Sequence, residues 1–388
     1  MQFTYPSRST SHFASYLLSL LAGVLLGLSA GSILGQETPS IPPLSDGGAP
    51  LDQVRPVIEG YETSFGAMGT EVHFKAFHHD TAVVSHAFEM AEQRVHELEA
   101  ILTDYDPASE TRQLSRRAYQ NPTTVSDPLW DVLQASHHWF EASEGAFDAS
   151  LGQLTHLWRK YRRSTRLPTQ AEIDAARQLC GWHNVHLDTA RRQCSIGTAG
   201  LRLDFGAIGK GYIVDKAFET LVEHGLTCAL VNISGNMRAG SAPPDRAGWK
   251  IEIAPLQPNS RPLRQIFICD QSIATSGDLW QFVMVDGVRR SHILDPNTGV
   301  GVSGPRCATA IARLAIDADA LATAACIMGF DRAAKLTEDV GHSQLLFAMR
   351  TEAGDGSLSE SASVQTTADF PADISTTHMT GALHDDSQ

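Results

Sequence analysis

The chain predicts an α+β fold with helices and antiparallel sheet mixed. Strands dominate its second half, hairpin-type turns join them, and no regular strand–helix–strand alternation runs through it. Taken in order, Thr70 to Phe77 alternates polar and apolar residues and reads as a strand. Thr81 to Thr103 has helical periodicity, with Phe88, Val95, Leu98 and Leu102 among its apolar positions. Pro128 to Ala142 is a second helix and Leu201 to Phe205 a short strand. Gly209 to Gly225 is a helix with Ile213, Ala217, Leu221 and Val222 along one side. Cys228 to Ile233, Trp249 to Ala254 and Gln265 to Ile273 read as strands. Phe282 to Val285 and Ser291 to Leu294 flank Asp286-Gly287, a hairpin turn. Ala308 to Leu314 is a strand and Asp317 to Met328 a helix.

The ends read differently from the middle. Arg8 precedes an uncharged apolar run from about Phe13 to Leu34, so residues 1–35 read as a signal peptide or a single membrane anchor. Ser29, Ala30 and Gly31 offer a cleavage site, and the expectation is an exported protein. No cysteine precedes Cys180, which excludes an N-terminal lipid on cysteine. Residues 36–60 are Pro-, Gly- and polar-rich and read as a linker. Residues 351–388 are Ser, Thr, Asp, Glu and Gly with few large apolar groups, and are expected to be a disordered acidic tail. The folded domain is then 61–350. A formal charge of −14 excludes a general nucleic-acid binder, because phosphate backbones demand Lys and Arg. Its six cysteines form no C-x-x-C pair, which argues against a zinc knuckle, and scattered buried thiols are expected.

Three segments carry chemistry. Leu203-Asp-Phe-Gly-Ala-Ile-Gly-Lys-Gly-Tyr-Ile-Val-Asp215 runs from a strand end through Gly206, Gly209 and Gly211 into a helix. Such a turn lets amides and a helix start approach an anion, with Lys210 adding a full charge; it is equally a plain tight turn. It matches neither a Walker A loop nor G-x-G-x-x-G. Ser291-His-Ile-Leu-Asp-Pro-Asn-Thr-Gly299 puts His292 near Asp295 at a strand end, where an imidazole can act as a base. Asp319 and Thr323 are four apart on one helix face, a hard-oxygen pair suited to Mg²⁺. The alternative makes Asp317 an N-cap and Asp319 a dipole partner. Gly145-Ala-Phe-Asp148 and Ala274-Thr-Ser-Gly-Asp278 are short loops able to hold a ligand or simply to turn.

In order and spacing these segments, with Ala67-Met-Gly-Thr70, Val231-Asn-Ile-Ser-Gly-Asn236 and Ala318-Asp-Ala-Leu-Ala-Thr323, make the chain resemble the FAD:protein FMN transferase (ApbE) family. The resemblance implies an α+β fold with FAD in a cleft lined by Met68, Ala146, Phe147, Asp148, Asp204, Lys210 and Ile293 and, at a looser match, Tyr105 or Asp106. It implies Mg²⁺ held by a backbone oxygen at Ala207 and by Asp319 and Thr323, and it makes His292 the candidate base. Phe147 is expected to stack or pack against a flavin-nucleotide ring. Phe205, Ala207 and Gly209 depart from the family's commoner Leu, Gly and Ala, and Ser234-Gly-Asn236 replaces a common Gly-Gly-Asp.

The activity so implied transfers FMN from FAD to a Thr or Ser hydroxyl of an acceptor protein, a membrane redox subunit, and releases AMP. Two alternatives share these residues. One is a Mg²⁺-dependent FAD pyrophosphatase, in which water replaces the hydroxyl. The other is a non-catalytic flavin-binding protein of the envelope.

Overall fold

The computed structural model describes residues 57–161, 166–279, 281–285, 288–350 and 362–376. The expected signal or anchor segment, nearly all of the linker and the Asp286-Gly287 turn lie outside these residues. Among the described residues no helix is long and apolar enough to cross a membrane.

The chain begins with hairpin β1 (Glu59–Ala67) and β2 (Thr70–His78), then α1 (Thr81–Leu102), α2 (Glu110–Arg117), β3 (Thr123–Thr124), α3 (Asp127–Ala142), α4 (Gly152–Tyr161) and α5 (Gln170–Arg177). Strands β4 (Val185–Asp188) and β5 (Gln193–Ile196) lead to α6 (Gly209–Glu223). Next come β6 (Ala229–Ile233), β7 (Asn236–Ala239), β8 (Trp249–Ile253), β9 (Arg264–Ile268) and β10 (Gln271–Gly277). A small antiparallel sheet of β11 (Phe282–Val285), β12 (Val288–Leu294) and β13 (Gly301–Ser303) follows. The last elements are β14 (Arg306–Ala312), α7 (Ala315–Met328), α8 (Phe330–Val340), β15 (Gln344–Met349) and β16 (Ser363–Thr366).

Eight strands form one antiparallel sheet in the order β1-β2-β6-β7-β10-β14-β15-β16. Strand periodicity divides its side chains between two cores. Val72, Phe74, Ala76, Val231, Ile233, Ala308 and Ala310 face the layer that contains α1, α6 and α7. Ile273, Cys307, Ile311, Leu346 and Ala348 face the β8–β9 hairpin, whose Trp249, Ile251, Ile253, Ile266 and Ile268 fill the second core. Helix α1 buries Val84, Ala87, Ala91, Val95, Leu98 and Leu102, with the expected Phe88 only partly buried beside them, and Asp80 caps it by accepting from Ala82 N at 2.8 Å. Helix α7 is Ala-rich and buried around most of its circumference, so neighbours approach it on several sides.

Three expectations need correction. Residues 201–205 are not a strand: they make one isolated parallel bridge, Leu151 to Arg202, while Leu203 N donates to Ser115 Oγ and Asp204 N to Ala149 O. Apolar alternation there serves burial of Leu203 and Phe205 without a ladder. Residues 265–273 are two strands, with a corner at Asp270 in the left-handed region (φ +50°) that carries the chain from β8's partner to β7's. Aspartate tolerates that conformation, so no Gly or Pro marks the corner. The tail is partly ordered. Strand β16 pairs with β15, Phe370 is buried, and Asp373 accepts from Gln265 N at 3.1 Å. An edge strand needs main-chain partners more than apolar side chains, which is why its polar composition reads as disorder.

Candidate active site

The glycine turn is held from beneath by buried Leu203, Phe205 and Ile208, and α6 starts at Gly209. A Cβ on Gly211 would lie 2.3 Å from Ala315 O, so α6 and α7 meet backbone to backbone only because this residue has no side chain. Each helix then supplies a carboxylate to the first turn of the other. Gly211 N donates to Asp319 Oδ2 at 3.0 Å, while Ala315 N and Ile316 N donate to the two oxygens of Asp215 at 2.9 and 3.0 Å. These amides have no intrahelical partner, and a buried helix start requires such acceptors. Asp215 also takes Arg238 at 2.5 Å, which offsets the burial that pushes its carboxyl upward. Asp317 is not the cap of α7; its Oδ1 accepts from Trp139 Nε1 at 3.0 Å.

Asp319 is buried, which pushes its carboxyl above the ordinary range, and Lys210 at 3.8 Å opposes that shift. Lys210 Nζ donates to Gly206 O at 2.9 Å. One turn along α7, Thr323 Oγ1 lies 2.9 Å from Ser276 Oγ. Ala207 precedes the N-cap residue Ile208, and no backbone donor among the described residues takes its carbonyl. Its neighbours on this wall are a carboxylate and a hydroxyl. This all-oxygen set fits a hard divalent cation such as Mg²⁺ better than zinc or copper.

Carboxylates organise the rest of the lining. Asp204 accepts Gly206 N at 2.9 Å on Oδ1, and Thr155 Oγ1 and an Arg159 N–H at 2.6 and 2.7 Å on Oδ2. Tyr105 is 74% exposed. Met68 occupies the β1–β2 turn at φ +55°, and its amide donates to Glu99 at 2.7 Å. In the Ala146-Phe147-Asp148 loop, Phe147 N donates to Ser143 Oγ, and Asp148 accepts from Ser150 N, Ser150 Oγ and Trp182 N. Burial raises the Asp148 carboxyl and the Ser150 bonds oppose this. Phe147 borders the cleft but is only 1% exposed. Of the two modes expected of Phe147, stacking and packing, this burial suits packing, and Tyr105 is the more open ring of the cleft.

His292 stands on β12. Its backbone N–H donates to Gln281 O at 3.0 Å, and its Nδ1 lies 3.1 Å from the same oxygen. A carbonyl only accepts, so a ring proton on Nδ1 would complete this contact. Ile293 is buried beside it, and Asp295 spends its Oδ1 on Asn297 N.

Met68, Tyr105, Ala146, Phe147, Asp148, Asp204, Ala207, Lys210, His292, Ile293, Asp319 and Thr323 all line one cleft of about 1140 Å³. Sequence reasoning missed Glu99, Thr155 and Arg159, which also line it, and the role of Asp215 behind it. Arg159 lies in a basic run, Trp158-Arg-Lys-Tyr-Arg-Arg163, where nothing singles it out. Asp215 carried a signal, since it ends the glycine segment.

Comparison with known proteins agrees with this geometry. The profile of the ApbE family matches residues 68–347. The FAD:protein FMN transferase of Treponema pallidum is 30% identical over 289 residues, covering 69% of this chain and 76% of the relative. That of Klebsiella pneumoniae is 30% identical over 240 residues, covering 62% and 73%. The apo flavinyl transferase ApbE of Pseudomonas stutzeri superposes with a TM-score of 0.70 at 26% identity, over 82% of this chain and 97% of that one. With a family match across most of its length and a shared fold, this chain belongs to the ApbE family.

Proposed function

We propose that the chain is a FAD:protein FMN transferase, moving FMN from FAD onto a Thr or Ser hydroxyl of an acceptor protein and releasing AMP. The observation that carries this is the single cleft that joins an oxygen-lined wall, a lysine at a glycine turn and a histidine base. Its volume of about 1140 Å³ exceeds the ~300–1,000 Å³ of ordinary small-ligand pockets, as a dinucleotide requires.

Asp319, Thr323 and the Ala207 carbonyl would hold Mg²⁺, which when bound would supply charge neutralisation for phosphoryl transfer. Lys210 places a further positive charge beside the phosphates. His292 takes the acceptor hydroxyl proton as that oxygen attacks the FMN phosphorus. The new P–O bond forms as the bond to the AMP phosphate breaks, and AMP leaves. Arg8 and the apolar run to Leu34 support export to the periplasmic side of a bacterial inner membrane. That location suits an acceptor that is a membrane redox subunit.

The test is incubation with FAD, Mg²⁺ and a co-expressed candidate acceptor, read by mass spectrometry. Acceptor carrying one added flavin mononucleotide, with equimolar AMP, is expected. AMP released at the same rate without acceptor and no modified protein would make the chain a pyrophosphatase. FAD retained intact under all conditions would make it a binding protein.

A further inference from the structure

Arg159, on α4, joins three groups from two other segments. It donates to Asp104 Oδ2 at 2.6 Å and to Asp204 Oδ2 at 2.7 Å, and its guanidinium carbon lies 4.4 Å from the centroid of the Tyr105 ring. Asp104 and Asp204 are buried, whereas Tyr105 is the most exposed aromatic ring lining the cleft. Arg202 donates to Asp104 as well, at 3.0 Å, so that carboxylate is itself held in place. A planar guanidinium fixed by two carboxylates has little freedom to turn, and it offers the ring a flat, charged face. An exposed tyrosine otherwise keeps its rotamer freedom and loses it when a ligand binds. Lysine has no such plane and cannot bridge both carboxylates in fixed geometry.

We infer that Arg159 is a positioning residue for the dinucleotide: it backs Tyr105 so that the ring's outer face is a ready platform for one ring of the ligand, and it holds Asp204 against the glycine turn. The inference rests on the reading of the cleft as a flavin-nucleotide site. It assigns Arg159 no contact with the reacting atoms.

The experiment compares Arg159→Lys, Tyr105→Ala and the double variant in the full chain. It uses steady-state AMP release against FAD concentration, calorimetric titrations with FMN and with AMP, and melting temperature. Arg159→Lys is expected to raise KM for FAD about ten-fold and leave kcat within about two-fold, the signature of lost binding rather than lost chemistry. The double variant should lose less than the product of the two single losses, because Arg159 acts in part through Tyr105. The half of the dinucleotide whose affinity falls in both single variants is the one that stacks. An unchanged KM in Arg159→Lys, multiplying losses in the double variant, or undiminished affinity for both halves would overturn the inference. A lower melting temperature with unchanged KM would reduce Arg159 to a structural role and overturn it equally. Native protein that binds no FAD with Mg²⁺ would reject the reading of the cleft itself, and no variant is needed to see it.

Discussion

The two walls of the cleft are built by opposite means. The wall of α6 and α7 is buried and cross-braced: Gly211 admits backbone contact, and Asp215 and Asp319 each satisfy amides of the other helix. The wall that carries His292 is a three-stranded sheet outside the main one, with Phe282 and Met284 exposed on its β11 edge. Phosphate and metal chemistry needs charges held in place before the substrate arrives, because reorganising them costs the energy they are meant to supply. A base that must meet a hydroxyl on another protein needs access instead. On the proposed function, the difference teaches that burial and exposure are distributed by what each wall has to touch.

That contrast can be broken by substitution. Asp319→Ala should remove both an oxygen donor and the acceptor of Gly211 N, lowering transfer by about 10³, or several kcal/mol of charge stabilisation. Wild-type-like AMP release in this variant would reject the braced wall as the site of charge. His292→Gln should lower kcat by about 10² while FAD binding, measured by titration, stays near native, since the base acts only in the chemical step. A comparable loss of FAD affinity would mean that the exposed wall grips the nucleotide too.

Gly211→Ala sharpens the comparison through stability. Its Cβ would meet Ala315 backbone atoms at 2.3 and 2.6 Å, and backbone cannot swing aside as a side-chain end can. A loss of about 2 kcal/mol in denaturant unfolding is expected, the usual scale of overpacking. An unchanged midpoint would show that the two helices have room to separate.

The smallest effect concerns the thiols of the framework. Burial pushes Cys194 and Cys307 up to about 12 from the ordinary 9.0. Below pH 9 both states keep these protons, so the contribution is fully present. Between about 9 and 12 the unfolded chain binds fewer protons than the native one, so stability falls as pH rises. The loss should be about 1 kcal/mol per thiol per pH unit, visible as a lower urea midpoint at pH 10 than at pH 8. Cys194→Ala should shrink that drop; an equal drop would assign it to other groups.

How much of this was legible depends on the range of the interaction. The α1 stripe, the β2 alternation and the hairpin flanking residues 286–287 follow from local periodicity; the structure forms α1, β2 and β11 within a residue of the expected bounds and starts β12 three residues earlier, at Val288. The Asp270 corner and β16 were not legible, because each depends on a strand brought from elsewhere. Among the site residues, Lys210, Asp319, Thr323 and His292 stand in segments whose glycines, carboxylates and turn residues mark them. Arg159 carries no mark, since its partners Asp104 and Asp204 lie 55 and 45 residues away.

The sequence alone determined the elements and the chemical types available: a glycine turn with a lysine, a carboxylate and hydroxyl one helical turn apart, and a histidine at a strand end. These are properties of spacing, which helix and strand geometry convert into shared faces. Tertiary structure alone decided that Asp215 and Asp319 face one another's helices, that Phe147 is enclosed while Tyr105 is open, and that Arg159 backs that ring. Burial and long-range hydrogen bonding depend on which segments the packed core brings together, and no local pattern encodes that.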